Sequence, residues 1–153
     1  MLRIVFVCWR GMVGSVILYR LLAEKDFSVF ETIFYKTSNV GGHGPDIGLS
    51  VPPLKDAYDL TSLSGLDIIV TCQGGDYTKK VYPEIRQLGW RGIWIDAAST
   101  LRLDDDSFIV LDPVNRSIIE RGLASGIRTF VGGNCTVSLM LMALSGLFDQ
   151  GLV

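Results

Sequence analysis

Apolar residues fall in short continuous runs separated by stretches with a helical period. Arg3–Cys8 is apolar after its first residue, the pattern of a strand buried on both faces. From Met12 to Lys25, Val13, Ile17 and Leu21 recur at steps of four, which predicts an amphipathic helix. Phe30–Lys36 reads as a second strand. Residues 39–53 read as a loop, broken by Gly41-Gly42-His43-Gly44-Pro45 and by Pro52-Pro53. Asp67–Thr71 predicts another buried strand, closed by Gln73-Gly74-Gly75. Asp76 is expected to cap a helix reaching about Leu88, with Pro83 as an obstacle inside it. Gly92–Asp96 and Phe108–Leu111 predict strands, Asn115–Ala124 a helix and Ile127–Val131 the last strand. Thr136 to about Phe148 predicts an apolar helix.

Short apolar strands alternating with helices imply right-handed crossovers. The expected fold is α/β: a doubly wound, mostly parallel sheet with helices on both faces, a Rossmann-like arrangement in one domain over residues 1–153. Such sheets bind ligands beyond the carboxyl ends of their strands. Four loops leave those ends with distinctive chemistry: Trp9–Gly14, Thr37-Ser38, Gln73-Gly74-Gly75 and Gly132-Gly133-Asn134-Cys135.

Composition narrows the function classes. Fourteen Lys and Arg against sixteen Asp and Glu give a net charge of −2, without the basic excess of a nucleic-acid binder. Hydrophobic residues at 48% and charged residues at 20% describe a folding chain. Gly, at 17 residues of 153, exceeds an average share of about 7%. The longest apolar stretches, Ile4–Trp9 and Val137–Leu144, fall short of the roughly 18 residues of a membrane span. Arg10 follows the first apolar run too soon for a signal-peptide core. Cys8, Cys72 and Cys135 are odd in number and lack metal-ligand spacing, so no metal is expected and a reducing cytoplasm is.

Each candidate site has a bland alternative. Glycines in Arg10-Gly11-Met12-Val13-Gly14, opening the first helix, let backbone N–H groups approach a pyrophosphate; the alternative is a tight turn that binds nothing. An NAD site usually ends its second strand with Asp or Glu. Here Lys36-Thr37-Ser38 offers a cation and two hydroxyls, and Arg10 is within plausible reach, a set that suits the 2′-phosphate of NADP or else is an ordinary solvated strand end. Cys135 opens an apolar helix after two glycines, where the helix dipole favours a nucleophilic thiolate. Cys72, at an apolar strand end, fits a buried inert thiol instead. Arg102 follows the small residues Ala97-Ala98-Ser99 and either clamps a phosphate or carboxylate or lies free on the surface. His43, the single histidine, reads as solvated.

Together these residues resemble a known family. Trp9-Arg10-Gly11-Met12-Val13-Gly14-Ser15, Asp67-Ile-Ile-Val-Thr-Cys-Gln73-Gly-Gly-Asp-Tyr77, Trp94-Ile-Asp-Ala-Ala-Ser99, Leu111-Asp-Pro-Val-Asn115 and Arg128-Thr-Phe-Val-Gly-Gly-Asn-Cys-Thr-Val-Ser-Leu-Met-Leu-Met142 are similar to aspartate-β-semialdehyde dehydrogenase of the Gram-negative type. The resemblance covers essentially the whole chain. It implies formation of aspartate semialdehyde from β-aspartyl phosphate with NADPH, on the route to lysine, threonine and methionine. It further implies that Cys135 is the nucleophile, that Arg10, Gly11, Met12, Val13, Thr37, Ser38 and Gln73 contact NADP, and that Arg102 binds the substrate phosphate.

Two departures qualify what is carried over. Cys8 stands where the family pattern has Gly, so a tighter turn beneath the pyrophosphate is expected. The second family domain, with its acid–base histidine, carboxylate-binding residues and most of a homodimer interface, has no counterpart within 1–153. The isolated chain is therefore expected to be inactive as a dehydrogenase, and the alternative reading is a catalytically inactive NADP-binding module or truncated paralogue. Partners are expected to be small molecules, with no nucleic acid and no membrane.

Overall fold

The computed structural model describes residues 1–152. Seven strands form one sheet among them: β1 (Arg3–Val7), β2 (Glu31–Lys36), β3 (Lys55–Asp56), β4 (Ile68–Thr71), β5 (Ile93–Asp96), β6 (Ser107–Val110) and β7 (Thr129–Gly132). Every pairing is parallel, in the order β3-β2-β1-β4-β5-β7-β6. The helices are α1 (Met12–Ala23), α2 (Leu60–Ser64), α3 (Gly75–Gln87), α4 (Arg116–Ala124) and α5 (Cys135–Asp149). From β1 the chain winds outward through β2 to β3, then returns to lay β4 on the other side of β1. The strand order thus reverses between β1 and β4, which opens a crevice at their carboxyl ends.

Alternation along the strands divides the core. On one face Val5, Val7, Ile69 and Trp94 pack with Leu63 of α2 and with Tyr77, Val81 and Ile85 of α3. On the other, Ile4, Phe6 and Phe34 pack with Trp9 and Phe27, and Ile17, Leu18 and Leu21 of α1 cover them. The expected period of α1 therefore holds for Ile17 and Leu21, whereas Val13 stays exposed. No helix among the described residues is long and apolar enough to cross a membrane.

Two local expectations change. Gly74, not Asp76, occupies the N-cap of α3, with φ at +103°. Only a residue without a side chain adopts that conformation without strain. Asp76 sits within the first turn, still favourably placed against the helix dipole, with Lys79 Nζ at 3.9 Å. Pro83 lies inside α3 without ending it. The 39–53 loop is followed by β3 and α2, and Asp59 caps α2 by accepting from the Ser62 N–H at 3.0 Å.

Candidate functional site

All the loops singled out in the sequence leave the same edge of the sheet, because every strand runs the same way. At the crevice, Cys8 ends β1 in the left-handed region, with φ at +63°. A non-glycine residue bears a cost of about 1–2 kcal/mol there. That strain is the physical reason for a glycine preference at this turn, and this chain accommodates Cys8 nonetheless. Gly14 is more demanding: a Cβ on it would lie 2.5 Å from the Cys8 carbonyl oxygen and 2.7 Å from the Trp9 Cα. Its bare backbone lets α1 press directly onto the turn.

Gly11 is the N-cap of α1 and brings no side chain to satisfy the first free N–H groups of the helix. The space where its Cβ would stand is open. An uncapped helix N-terminus beside open space fits an anionic group. Met12 and Val13, in the first turn, are exposed there. Trp9 is buried against Phe34, with ring centroids 5.0 Å apart. The Arg10 guanidinium carbon lies 6.0 Å from the Trp9 ring centroid and Lys36 Nζ lies 5.5 Å from it. One indole thus gathers the cations of the β1 and β2 loops, beside half-buried Thr37 and exposed Ser38.

The β4 and β5 loops are tied together. The Gln73 N–H donates to Thr71 Oγ1 at 3.2 Å, which folds the chain toward Gly74. Asp96, at 1% exposure, accepts from Thr78 Oγ1 at 2.6 Å, from Trp94 Nε1 at 3.2 Å and from the Ala98 N–H at 2.8 Å. Three donors satisfy a buried carboxylate that has no paired cation among the described residues. They also fasten the loop carrying Arg102 to the first turns of α3.

Arg102 reaches the loop before Cys135. Its Nε donates to the Gly132 carbonyl at 2.8 Å and its Nη2 to the Gly133 carbonyl at 3.1 Å. Asn134 caps α5, its Oδ1 accepting from the Val137 N–H at 3.1 Å. Cys135 is the first residue of α5 and is exposed. Cys72 behaves differently: burial, then the neighbouring Cys8 thiol and Asp96, push its thiol up to about 11. His43 is exposed, with no ion-pair partner among the described residues.

Arg10, Gly11, Met12, Val13, Thr37, Ser38, Gln73, Arg102 and Cys135 therefore all belong to loops or helix starts at one edge of the sheet. Sequence reasoning missed the anchoring by Asp96 and the platform made by Trp9. A lone acidic residue closing an apolar strand was the available signal for the first. It also missed Asn115, whose Oδ1 accepts from the Leu111 N–H at 2.9 Å and whose Nδ2 donates to the Ile109 carbonyl at 2.7 Å, closing the loop after β6.

Known proteins share this fold. Residues 3–121 match the family described as semialdehyde dehydrogenase, NAD binding domain. The structure is similar to aspartate semialdehyde dehydrogenase from Francisella tularensis, at 46% identity and a TM-score of 0.92, over 99% of this chain and 42% of that one. Aspartate semialdehyde dehydrogenase II from Vibrio cholerae, complexed with ASA, aligns at 24% identity and a TM-score of 0.75, over 96% of this chain and 46% of that one. The Candida albicans enzyme, solved with NADP, shares the fold at 11% identity and a TM-score of 0.64, over 98% of this chain and 47% of that one. On the family match, the chain belongs to the semialdehyde dehydrogenase NAD-binding domains.

Proposed function

We propose that residues 1–153 are the NADP-binding domain of an aspartate-semialdehyde dehydrogenase and carry its nucleophile. The observation that supports this most is the meeting at one sheet edge of an uncapped α1 N-terminus, a Trp9 platform with two cations, and an arginine bonded to the loop before Cys135. Gly11, Met12 and Val13 would hold the pyrophosphate through the free N–H groups of α1, and Gln73 would line the crevice from the β4 side. Arg10 and Lys36, with the hydroxyls of Thr37 and Ser38, offer the 2′-phosphate charge and donors and no carboxylate. Bound NADPH would supply hydride.

The chain's own residues then divide the chemistry. Cys135 attacks the acyl carbon of β-aspartyl phosphate and expels phosphate, so one difficult reduction becomes two easier steps. Arg102 keeps the Gly132–Gly133 backbone in place and presents a planar cation toward the leaving phosphate. The chain spans 42% of the length of the Francisella relative. We place the family's second domain, its acid–base group and its homodimer contacts outside residues 1–153, with aspartate semialdehyde and phosphate as small-molecule partners and the cytoplasm as location. Alone, these residues form a module that binds without turnover, because the single histidine is exposed on the loop after β2.

Calorimetric titration tests the reading. NADP should bind more tightly than NAD, and Arg10→Ala should weaken NADP by about 1–3 kcal/mol, as for a charged hydrogen bond, while leaving NAD nearly unchanged. Equal affinity for the two nucleotides, or equal losses on removing Arg10, would contradict it.

A further inference from the structure

Two of the three thiols stand side by side where the strand order reverses. The β1–β4 ladder pairs Val7 with Thr71, and the Cys72 N–H still donates to the Val7 carbonyl at 3.0 Å. Cys8 and Cys72 are therefore the next residues in register, each just past the end of one of two hydrogen-bonded strands. Neighbouring strands lie about 4.7–4.9 Å apart. Disulfides bridge Cα atoms roughly 4.4–6.8 Å apart, so the backbone spacing already suits one. Both side chains are partly accessible, and Cys72 lines an open apolar cleft on the α1 face of the sheet. The closeness of the two also shows at Cys72, where the neighbouring Cys8 thiol is the second cause, after burial, that pushes the Cys72 thiol up. Cys8 also holds the strained φ of +63° from which the Trp9–Gly14 loop departs, so a bond to its sulfur acts on that loop directly.

We propose that Cys8 and Cys72 form a dithiol modification site that a hydroperoxide closes to an intramolecular disulfide. One thiolate attacks the peroxide oxygen, releasing an alcohol or water and leaving a sulfenic acid. The second thiolate attacks that sulfur and displaces hydroxide, which leaves as water. Two thiols are oxidised to one disulfide while one peroxide bond is reduced. Cys135, at the start of α5 and beyond β5 and β7 from this pair, takes no part. Resting on the NADP reading, the closed bond also locks the turn under the pyrophosphate and weakens nucleotide binding.

The test uses the full chain carrying Cys135→Ser, which leaves only the two thiols in question. Treatment with one equivalent of hydrogen peroxide should join the tryptic peptides Ile4–Arg10 and Asp56–Lys79, and dithiothreitol should separate them. Separate sulfinic or sulfonic acids, intermolecular dimers, or two unmodified peptides would overturn the proposal. NADP titration of the same samples should show at least tenfold weaker binding in the crosslinked form, restored by dithiothreitol; undiminished affinity would refute the effect on the loop. Absence of binding in the reduced form would count against the NADP reading, whereas the peptide map decides the disulfide independently.

Discussion

The two faces of the sheet are made by the same strands and have opposite fates. On the α2–α3 face, Ile69, Thr71 and Trp94 are fully buried and Asp96 nearly so. One residue along in β4 and β5, Ile68, Val70 and Ile93 are only half-buried, and Ile95 is 39% exposed although it lies on an inner strand. Between α1 and α4 that second face opens into a cleft of about 520 Å³, lined by Val13, Ile17, Val70, Ile95, Leu123 and Phe130 among others. Parallel sheets ordinarily bury both faces. Over β4 and β5 the closed face therefore carries most of the packing, and the second face, which α1 packs over β1 and β2, contributes less there than its apolar composition suggests.

Substitution on adjacent residues of β5 should expose this difference most strongly. Trp94→Ala should cost about 3–5 kcal/mol, as for a large buried aromatic, in urea unfolding. Ile95→Ala should stay within about 1 kcal/mol, because much of its side chain is already in water. Similar losses at both positions would show the faces to be equally packed. Gly14→Ala examines the tight end of the open side. Its new Cβ would meet backbone atoms that have little room to move, and overpacking of that kind costs about 1–3 kcal/mol. The same protein should lose nucleotide affinity, since the shifted turn is the proposed pyrophosphate cradle.

A smaller effect appears with pH. Burial raises the Tyr77 hydroxyl on the closed face and the Cys72 thiol on the open one, the latter to about 11 from an ordinary value of 9.0. Both groups ionise earlier in the unfolded chain, so that chain binds fewer protons and stability falls as pH rises above about 9. Cys72→Ser should blunt the loss between pH 9 and 11 in urea midpoints and leave the remainder due to Tyr77. An unchanged pH profile would show that the thiol is not desolvated.

Much of this arrangement was legible in the sequence, for physical reasons that differ by element. β1, β2, β4, β5 and β7 are apolar runs whose burial is written in their composition, and each lies within one or two residues of its expected place. β3 escaped because Lys55 and Asp56 are exposed and charged, and α2 because a five-residue helix shows no period. Gly74 escaped as the α3 cap because its positive φ follows from the crossover, not from a side chain. The site loops were readable through Gly, Cys and Arg at strand ends. Their mutual bonds were not, since the contacts of Arg102 with Gly132 and Gly133, or of Asp96 with Thr78, join residues far apart along the chain. The open cleft was invisible for a related reason: apolar residues reveal what is suited to burial, not whether anything covers it.

The central claim is that nucleotide and nucleophile share one edge of the sheet, and thiol alkylation read by peptide mapping tests it most directly. Brief labelling with iodoacetamide at pH 7 should modify exposed Cys135 well before Cys72, which is half-buried and pushed up to about 11. Saturating NADP should then slow modification of Cys135, while NAD at the same concentration should slow it less. Faster labelling of Cys72, or a Cys135 rate indifferent to NADP that is shown to be bound, would contradict the account.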